Sequence, residues 1–186
     1  TGRPTSTPSS ASSCGDAVAE PVDNRVDPPF VADERTKLDT RLDYQRATLA
    51  MKCDGLDEEQ LKRRSVEPSS MSLLGLVRHM AEVENNWFRR VLSGHDSPPI
   101  FYSDQFPDGD FDLLDDADVA SDMATWQAEI DNARAVSAGR SLDDTGLRRG
   151  EPCSLRWILV HMIEEYARHN GHADLLRERI DGATGD

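Results

Sequence analysis

The segment from Ser154 to Asp181 restricts the possible folds more than any other part of the chain. It opens on a residue suited to capping a helix, and Gly182, a common helix terminator, follows it. Its apolar residues recur at steps of three and four, as on the buried face of a helix: Leu155, Leu159, Met162, Tyr166, Ala173 and Ile180. Four titratable side chains lie on or beside that face: His161, Glu165, His169 and His172. Because burial of such groups costs free energy unless a partner compensates for it, we predict that this helix carries a functional site.

Three further segments show the same helical periodicity. We predict helices from Asp33 to about Cys53, from about Met71 to Ser93 with Ser69 or Ser70 as cap, and from about Ala117 to Ala138. Residues 57–64 are predicted to form a short helical turn, and the one ambiguous strand signal is LRRGEP at 147–152. Residues 95–116 form a connection longer than helices usually need, which favours a functional or lid-like crossover. The sequence therefore predicts an all-α four-helix bundle with a long crossover between its second and third helices.

The beginning of the chain has a different composition. Residues 1–27 are rich in Ser, Thr, Pro and Ala and offer little to bury, so we predict a flexible tail followed by one bundle domain over residues 28–186. The first residues lack the apolar region of a signal peptide, and no apolar run approaches the roughly 20 residues that span a bilayer. We therefore expect a cytoplasmic protein.

Charge and cysteine content exclude several classes of function. The formal net charge of −14 argues against nucleic acid and against an anionic membrane surface as partners. Cys14, Cys53 and Cys153 are far apart and odd in number, which argues against a disulfide framework or a cysteine-based zinc site. We expect reduced thiols.

The spacing of the titratable residues indicates a metal site. Glu165 and His169 are four residues apart, so both side chains project from one side of the helix, and this pair is a common source of metal ligands. A third ligand has to come from another helix. His79 lies at the border of the apolar face of the second helix, and Glu84, closer to the centre of that face, is the competing candidate. His161 and His172 are predicted to support the ligands or lie on the surface, His95 to lie in a loop, and Glu164 to face solvent.

Two motifs carry a resemblance to a known family. With SLLGLVRHMAEVENNWF in the second helix and LRWILVHMIEEYARHNGHADLLRERIDG in the last, the chain resembles the DinB/YfiT-like superfamily of metal-binding four-helix bundles, and within it the actinobacterial mini-circle group. The similarity covers about Phe30 to Gly182. It implies one divalent metal, zinc or nickel, held by His79, Glu165 and His169. This His-Glu-His pattern is similar to that of mycothiol-dependent maleylpyruvate isomerase.

The resemblance also implies a chemistry. Several members transfer a low-molecular-weight thiol such as mycothiol, bacillithiol or glutathione, so we expect a thiol-dependent transferase or isomerase acting on a small molecule. His161 or His172 would then orient a ligand or relay a proton, and Arg148, Arg149 or Arg168 would take a substrate carboxylate. Many relatives form homodimers. The alternative hypothesis is a non-enzymatic, stress-related bundle that binds metal for its structure or uses the acidic loop 103–118 to contact a partner.

Overall fold

The computed structural model describes residue 23 and residues 25–185 and is mostly helical. Its helices are α1 (Glu34–Cys53), α2 (Glu58–Lys62), α3 (Leu73–Glu84), α4 (Gly109–Asp112), α5 (Val119–Ser137) and α6 (Leu155–Asp181), and α3 continues directly into a π-helical stretch, Asn85–Leu92. This confirms the predicted all-α class. Most of the predicted tail, residues 1–27, lies outside the described residues, and the domain boundary stays a prediction.

Side-chain caps fix the starts of the long helices. Asp33, Ser72, Asp118 and Ser154 each accept a hydrogen bond from the backbone N–H three residues later, which satisfies one of the amides that a helix start leaves unpaired. The predicted cap of the second long helix, Ser69 or Ser70, is wrong. The Ser72 hydroxyl accepts from the amide of Gly75 at 3.1 Å, so the helix begins two to three residues later than expected.

The long helices share one apolar core. α1 packs mainly against α6, and α3 packs against both α5 and α6. Large fully buried side chains fill the space between them: Leu42, Leu49, Leu73, Leu74, Leu76, Met80, Phe88, Leu155, Ile158, Met162, Tyr166 and Leu176. This arrangement sets the inner faces of α3 and α6, which carry the candidate ligands, next to each other.

A buried polar network crosses this core and joins four elements. Arg46 of α1 donates through Nε and Nη2 to the two carboxylate oxygens of Glu84 at the end of α3, both at 2.8 Å. Tyr166 of α6 donates to the same carboxylate at 2.9 Å and accepts from Trp126 of α5 at 2.9 Å. Burial opposes the charge of Arg46, but the adjacent Glu84 outweighs that effect and raises the pKa of the guanidinium. Burial, and then Glu84, raise the pKa of Tyr166, so its hydroxyl stays protonated and able to donate.

The sequence did not predict a β-hairpin with any clarity, yet one precedes α6. β1 (Thr145–Arg148) pairs antiparallel with β2 (Glu151–Ser154), and a turn with positive φ at Arg149 and Gly150 connects them. The ambiguous LRRGEP stretch is the tip of this hairpin. Gly146 lets it approach the π-helical stretch closely, because a Cβ atom there would overlap the carbonyl oxygen of Val91.

Among the described residues, no helix combines the length and the apolar character needed to cross a membrane.

Candidate metal centre

His79, Glu165 and His169 come together between α3 and α6. Each offers one nitrogen or carboxylate oxygen, and these atoms lie within 4.8 Å of one another. Nε2 of His169 is 3.6 Å from Oε2 of Glu165, close to the roughly 3.4 Å between tetrahedral ligands that are each about 2.1 Å from a metal. Two imidazoles and one carboxylate are a donor set suited to a divalent transition metal. Metal binding would require only a small convergence of the group.

Asp110 of α4 determines which nitrogen of His79 is free to bind a metal. Its Oδ2 lies 2.8 Å from Nδ1 of His79, which makes Nδ1–H the donor in the neutral ring and leaves a lone pair on Nε2. Phe111 packs against the same imidazole, with ring centroids 5.3 Å apart. A carboxylate that orients a ligand histidine in this way also increases its basicity toward a metal.

His169 is held in a state that can donate a lone pair. Burial first, and then the neighbouring His79, His172 and Arg168, together lower its pKa to about 4. Its Nδ1 lies 3.4 Å from Nδ1 of His172, while Nε2 faces Glu165. At neutral pH His169 is therefore uncharged, as a metal-binding imidazole must be.

His161 lies on the other side of Glu165, within an aromatic cluster. Its Nε2 is 3.5 Å from Oε1 of Glu165, and its ring stacks on Trp157 and meets Trp87 edge-on. Trp87 belongs to the π-helical stretch, and the guanidinium of Arg148 lies over its ring at 4.3 Å from the centroid. Burial lowers the pKa of His161. The cluster thus packs around one edge of the three-residue group.

The other residues named from sequence lie at different distances from the group. Arg168 is exposed, with Nη1 3.7 Å from Glu165 Oε1, whereas Arg149 lies exposed at the hairpin turn. Glu84, the competing ligand candidate, is fully engaged with Arg46 and Tyr166 in the buried network. His95 is exposed outside the helices, and Glu164 faces solvent, as predicted.

The crossover between the π-helical stretch and α5 covers the α3 side of the group. It is anchored by Glu82, whose Oε1 accepts hydrogen bonds from the amides of Ile100 and Phe101, both at 2.5 Å. Between the crossover and the helix lies a cavity of about 280 Å³ that includes His79 in its wall. The remaining lining comes from the helix and the crossover: Glu82, Val83, Asn86, Trp87, Tyr102, Pro107, Asp108, Asp110 and Phe111.

Sequence reasoning missed Asp110 and Glu82. In the sequence, Asp110 is one carboxylate of the acidic loop 103–118. Its contact with His79 joins positions 31 residues apart. No local pattern distinguishes it from the exposed carboxylates around it. Glu82 did carry a signal, since it stands three residues after His79 on the same predicted helix and is thus on a neighbouring face.

Fold and site together define a class: a helical protein with a His-Glu-His group able to hold a divalent cation. A family model described as mycothiol-S-transferase matches residues 37–182, more than three quarters of the chain, and the chain therefore belongs to that family. The match confirms the predicted resemblance to DinB/YfiT-like proteins. The search of curated proteins gave no significant match.

Proposed function

We propose that this protein is a metal-dependent S-transferase that joins mycothiol to a small electrophile. The observation that carries the proposal is the meeting of His79, Glu165 and His169 in a chain of the mycothiol-S-transferase family. Their side chains are 29, 17 and 12 % exposed, so the group is neither sealed in the core nor open on the surface. A site of this kind admits small ligands while it excludes much of the surrounding water.

The three residues fit a resident divalent ion, which we propose to be zinc before nickel. Three protein ligands leave at least one coordination position free in a tetrahedral site. A bound ion would supply Lewis acidity that favours the deprotonated form of a coordinating thiol. Glu165 would offset part of the ion's charge, and Asp110 and His172 would hold the two imidazoles in orientation.

The reactive thiol has to come from outside the described part of the chain. Burial raises the pKa of Cys53 to about 12 and also raises the pKa of Cys153, so neither is a ready thiolate near neutral pH. In the proposed reaction the sulfur of the external thiol supplies the electron pair of a new carbon–sulfur bond. The leaving group of the electrophile departs with the electron pair of the broken bond, and the thiol proton is released.

Further properties belong to the same proposal. We propose that α1, α3 with its π-helical extension, α5 and α6 form the four-helix bundle of DinB-like proteins. The substrate is a small molecule rather than nucleic acid or membrane, the location is cytoplasmic, and the protein is a homodimer. Arg148, Arg149 and Arg168 remain candidates for binding a carboxylate of a substrate.

Elemental analysis of purified protein tests the metal site directly. We expect about one divalent ion per chain, lost in His79→Ala and His169→Ala and retained in His95→Ala, which removes a histidine outside the group. Mycothiol added to cobalt-substituted protein is expected to shift the visible absorption bands of the ion. The rate of mycothiol transfer to monobromobimane above the spontaneous reaction should then depend on both the metal and Glu165.

Two outcomes would oppose the proposal in different ways. Protein that binds no zinc, nickel or cobalt on titration would contradict the metal site itself. Metal that binds in full while no thiol changes the cobalt spectrum would favour a metal-stabilised bundle that contacts a partner, the alternative function drawn from the acidic loop.

A further inference from the structure

The cavity beside His79 has an unusual lining for a site that takes a small electrophile. Three aromatic rings, Trp87, Tyr102 and Phe111, supply apolar and π surface. Three carboxylates, Glu82, Asp108 and Asp110, supply negative charge within the same volume of about 280 Å³. Within the part of the chain that the structure describes, no lysine or arginine lines it. The combination favours a ligand that is apolar in its body and positively charged at one end.

The carboxylate of Glu82 is buried in the cavity wall and only partly hydrogen-bonded. The residue is 5 % exposed, and although its Oε1 accepts two backbone hydrogen bonds, Oε2 is buried and has no hydrogen-bond partner among the described residues. A buried carboxylate oxygen without a donor is costly, by an amount comparable to a lost charged hydrogen bond. Asp110 is already bound to His79, and Asp108 is exposed at the cavity wall. Glu82 is therefore the buried carboxylate of the cavity wall that has an oxygen left unpaired.

Two guanidinium groups beside the cavity, those of Arg78 and Arg90, do not hydrogen-bond this oxygen. Arg78 interacts electrostatically with Glu82 and Asp110, but its Nη1 donates to the carbonyl of Leu113 and its Nε lies 3.6 Å from Asp122. Arg90 donates through Nε to the carbonyl of Ser97 and contacts the Tyr102 hydroxyl at 3.3 Å. Arg78 is thus shared by several carboxylates and Arg90 bonds to uncharged partners, so the three carboxylates that line the cavity outnumber these two cations.

We propose that this cavity selects electrophilic substrates that carry a protonated amine, with the ammonium group at Glu82 and the apolar body against the aromatic rings. The inference rests on the proposed function, which it extends from the thiol to the class of the second substrate. An ammonium donates charge-assisted hydrogen bonds to a carboxylate, and it is also attracted to aromatic faces within about 6 Å. His79 in the wall would bring the reacting end of such a molecule close to the metal group.

Binding of three small probes to metal-free protein tests the selection. Phenethylamine, phenethyl alcohol and 3-phenylpropionate share a phenyl body and differ mainly in carrying a cation, a neutral hydroxyl or an anion. By isothermal titration calorimetry we expect phenethylamine to bind about tenfold more tightly than the alcohol, with the anion weakest. Glu82→Gln keeps an oxygen that accepts from the two backbone amides. It should bring the ratio of the affinities for phenethylamine and phenethyl alcohol close to one.

Two further variants complete the design. Asp108→Asn removes an exposed carboxylate of the cavity wall without leaving a buried group unpaired, and it should lower the preference for the amine by a few fold. Asp104→Asn removes an exposed carboxylate of the same crossover that does not line the cavity, and it should leave the preference unchanged. If Glu82→Gln does not fold, as judged by circular dichroism, Asp108→Asn decides the question.

Equal binding of the three probes to the wild-type protein would overturn the inference. Retention of the full amine preference in folded Glu82→Gln, or in Asp108→Asn where the first variant does not fold, would overturn it as well. Because these titrations use metal-free protein and need no thiol, their outcome is separate from that of the metal analysis. A protein that binds metal and transfers mycothiol yet shows no amine preference would contradict this inference alone.

Discussion

At the scale of single residues, the candidate site depends on a side chain that binds no metal itself. Asp110 is buried, and its contact with Nδ1 of His79 leaves Nε2 as the nitrogen free to bind a metal together with Glu165 and His169. Without it, the imidazole could rotate or take the other tautomer, and the three donor atoms would meet less often. The short helix α4 thus contributes to the site through orientation.

We expect Asp110→Asn to weaken zinc binding by about 10- to 100-fold, because the amide is uncharged and binds the Nδ1–H less strongly. Competition with a chromophoric chelator measures the change in Kd. Asp112→Asn, an exposed neighbour in the same short helix, serves as the matched control and should bind zinc as the wild type does. An unchanged Kd in folded Asp110→Asn would mean that other contacts fix the orientation of His79.

At the scale of secondary-structure elements, the hairpin and the π-helical stretch depend on each other. Gly146 in β1 faces the backbone of Val91 and Leu92, and this contact brings Arg148 over Trp87. Trp87 in turn packs against His161 beside the metal group. The hairpin therefore supports the aromatic side of the site even though none of its residues is a proposed ligand.

Gly146→Ala is expected to lower the free energy of unfolding by about 1–3 kcal/mol, because the added methyl group overlaps the Val91 carbonyl. Gly171→Ala is the matched control: it lies in α6 with open space around the added methyl group and should stabilise the protein by up to about 1 kcal/mol. Urea denaturation measures both. Wild-type stability in Gly146→Ala would show that the hairpin moves away from the helix at little cost.

These elements also show what the sequence could and could not predict. The long helices were predictable because of their apolar periodicity and because Asp33, Ser154 and Gly182 are local signals, read within a few residues of a helix end. The hairpin was unclear because its strands have four residues each and no clean alternation of buried and exposed positions. His79, Glu165 and His169 were named from spacing and resemblance. The contact of Asp110 with His79 depends on how the crossover folds back, which no local pattern records.

At the scale of the whole molecule, one buried carboxylate links the long helices. Glu84 of α3 holds Arg46 of α1 and Tyr166 of α6, and Tyr166 extends the network to Trp126 of α5. A buried ion pair adds little net stability compared with apolar packing, but removal of one partner leaves an uncompensated charge. Damage at this point therefore affects the relative placement of all four helices.

Glu84→Gln is expected to lower the free energy of unfolding by about 3 kcal/mol, because buried Arg46 loses its buried counter-charge and keeps only the half-exposed Asp43. Glu164→Gln, an exposed carboxylate of α6, should change it by less than about 0.5 kcal/mol. Denaturation is measured together with metal content, which should remain near one ion per folded chain in both variants. Metal loss with little loss of stability in Glu84→Gln would make Glu84 the ligand in place of His79.

The crossover between the π-helical stretch and α5 performs two tasks with adjacent residues. Asp110 and Phe111 contact His79, while Tyr102, Pro107 and Asp108 close the cavity beside it. Loops usually accumulate substitutions faster than helices, and enzymes diversify their substrates through them. Here a loop substitution that alters the preferred substrate is also expected to lower the affinity for metal. Evolution of new specificity in this protein is therefore expected to be slow in the loop and to proceed instead through the helix positions that line the cavity, such as Val83 and Asn86.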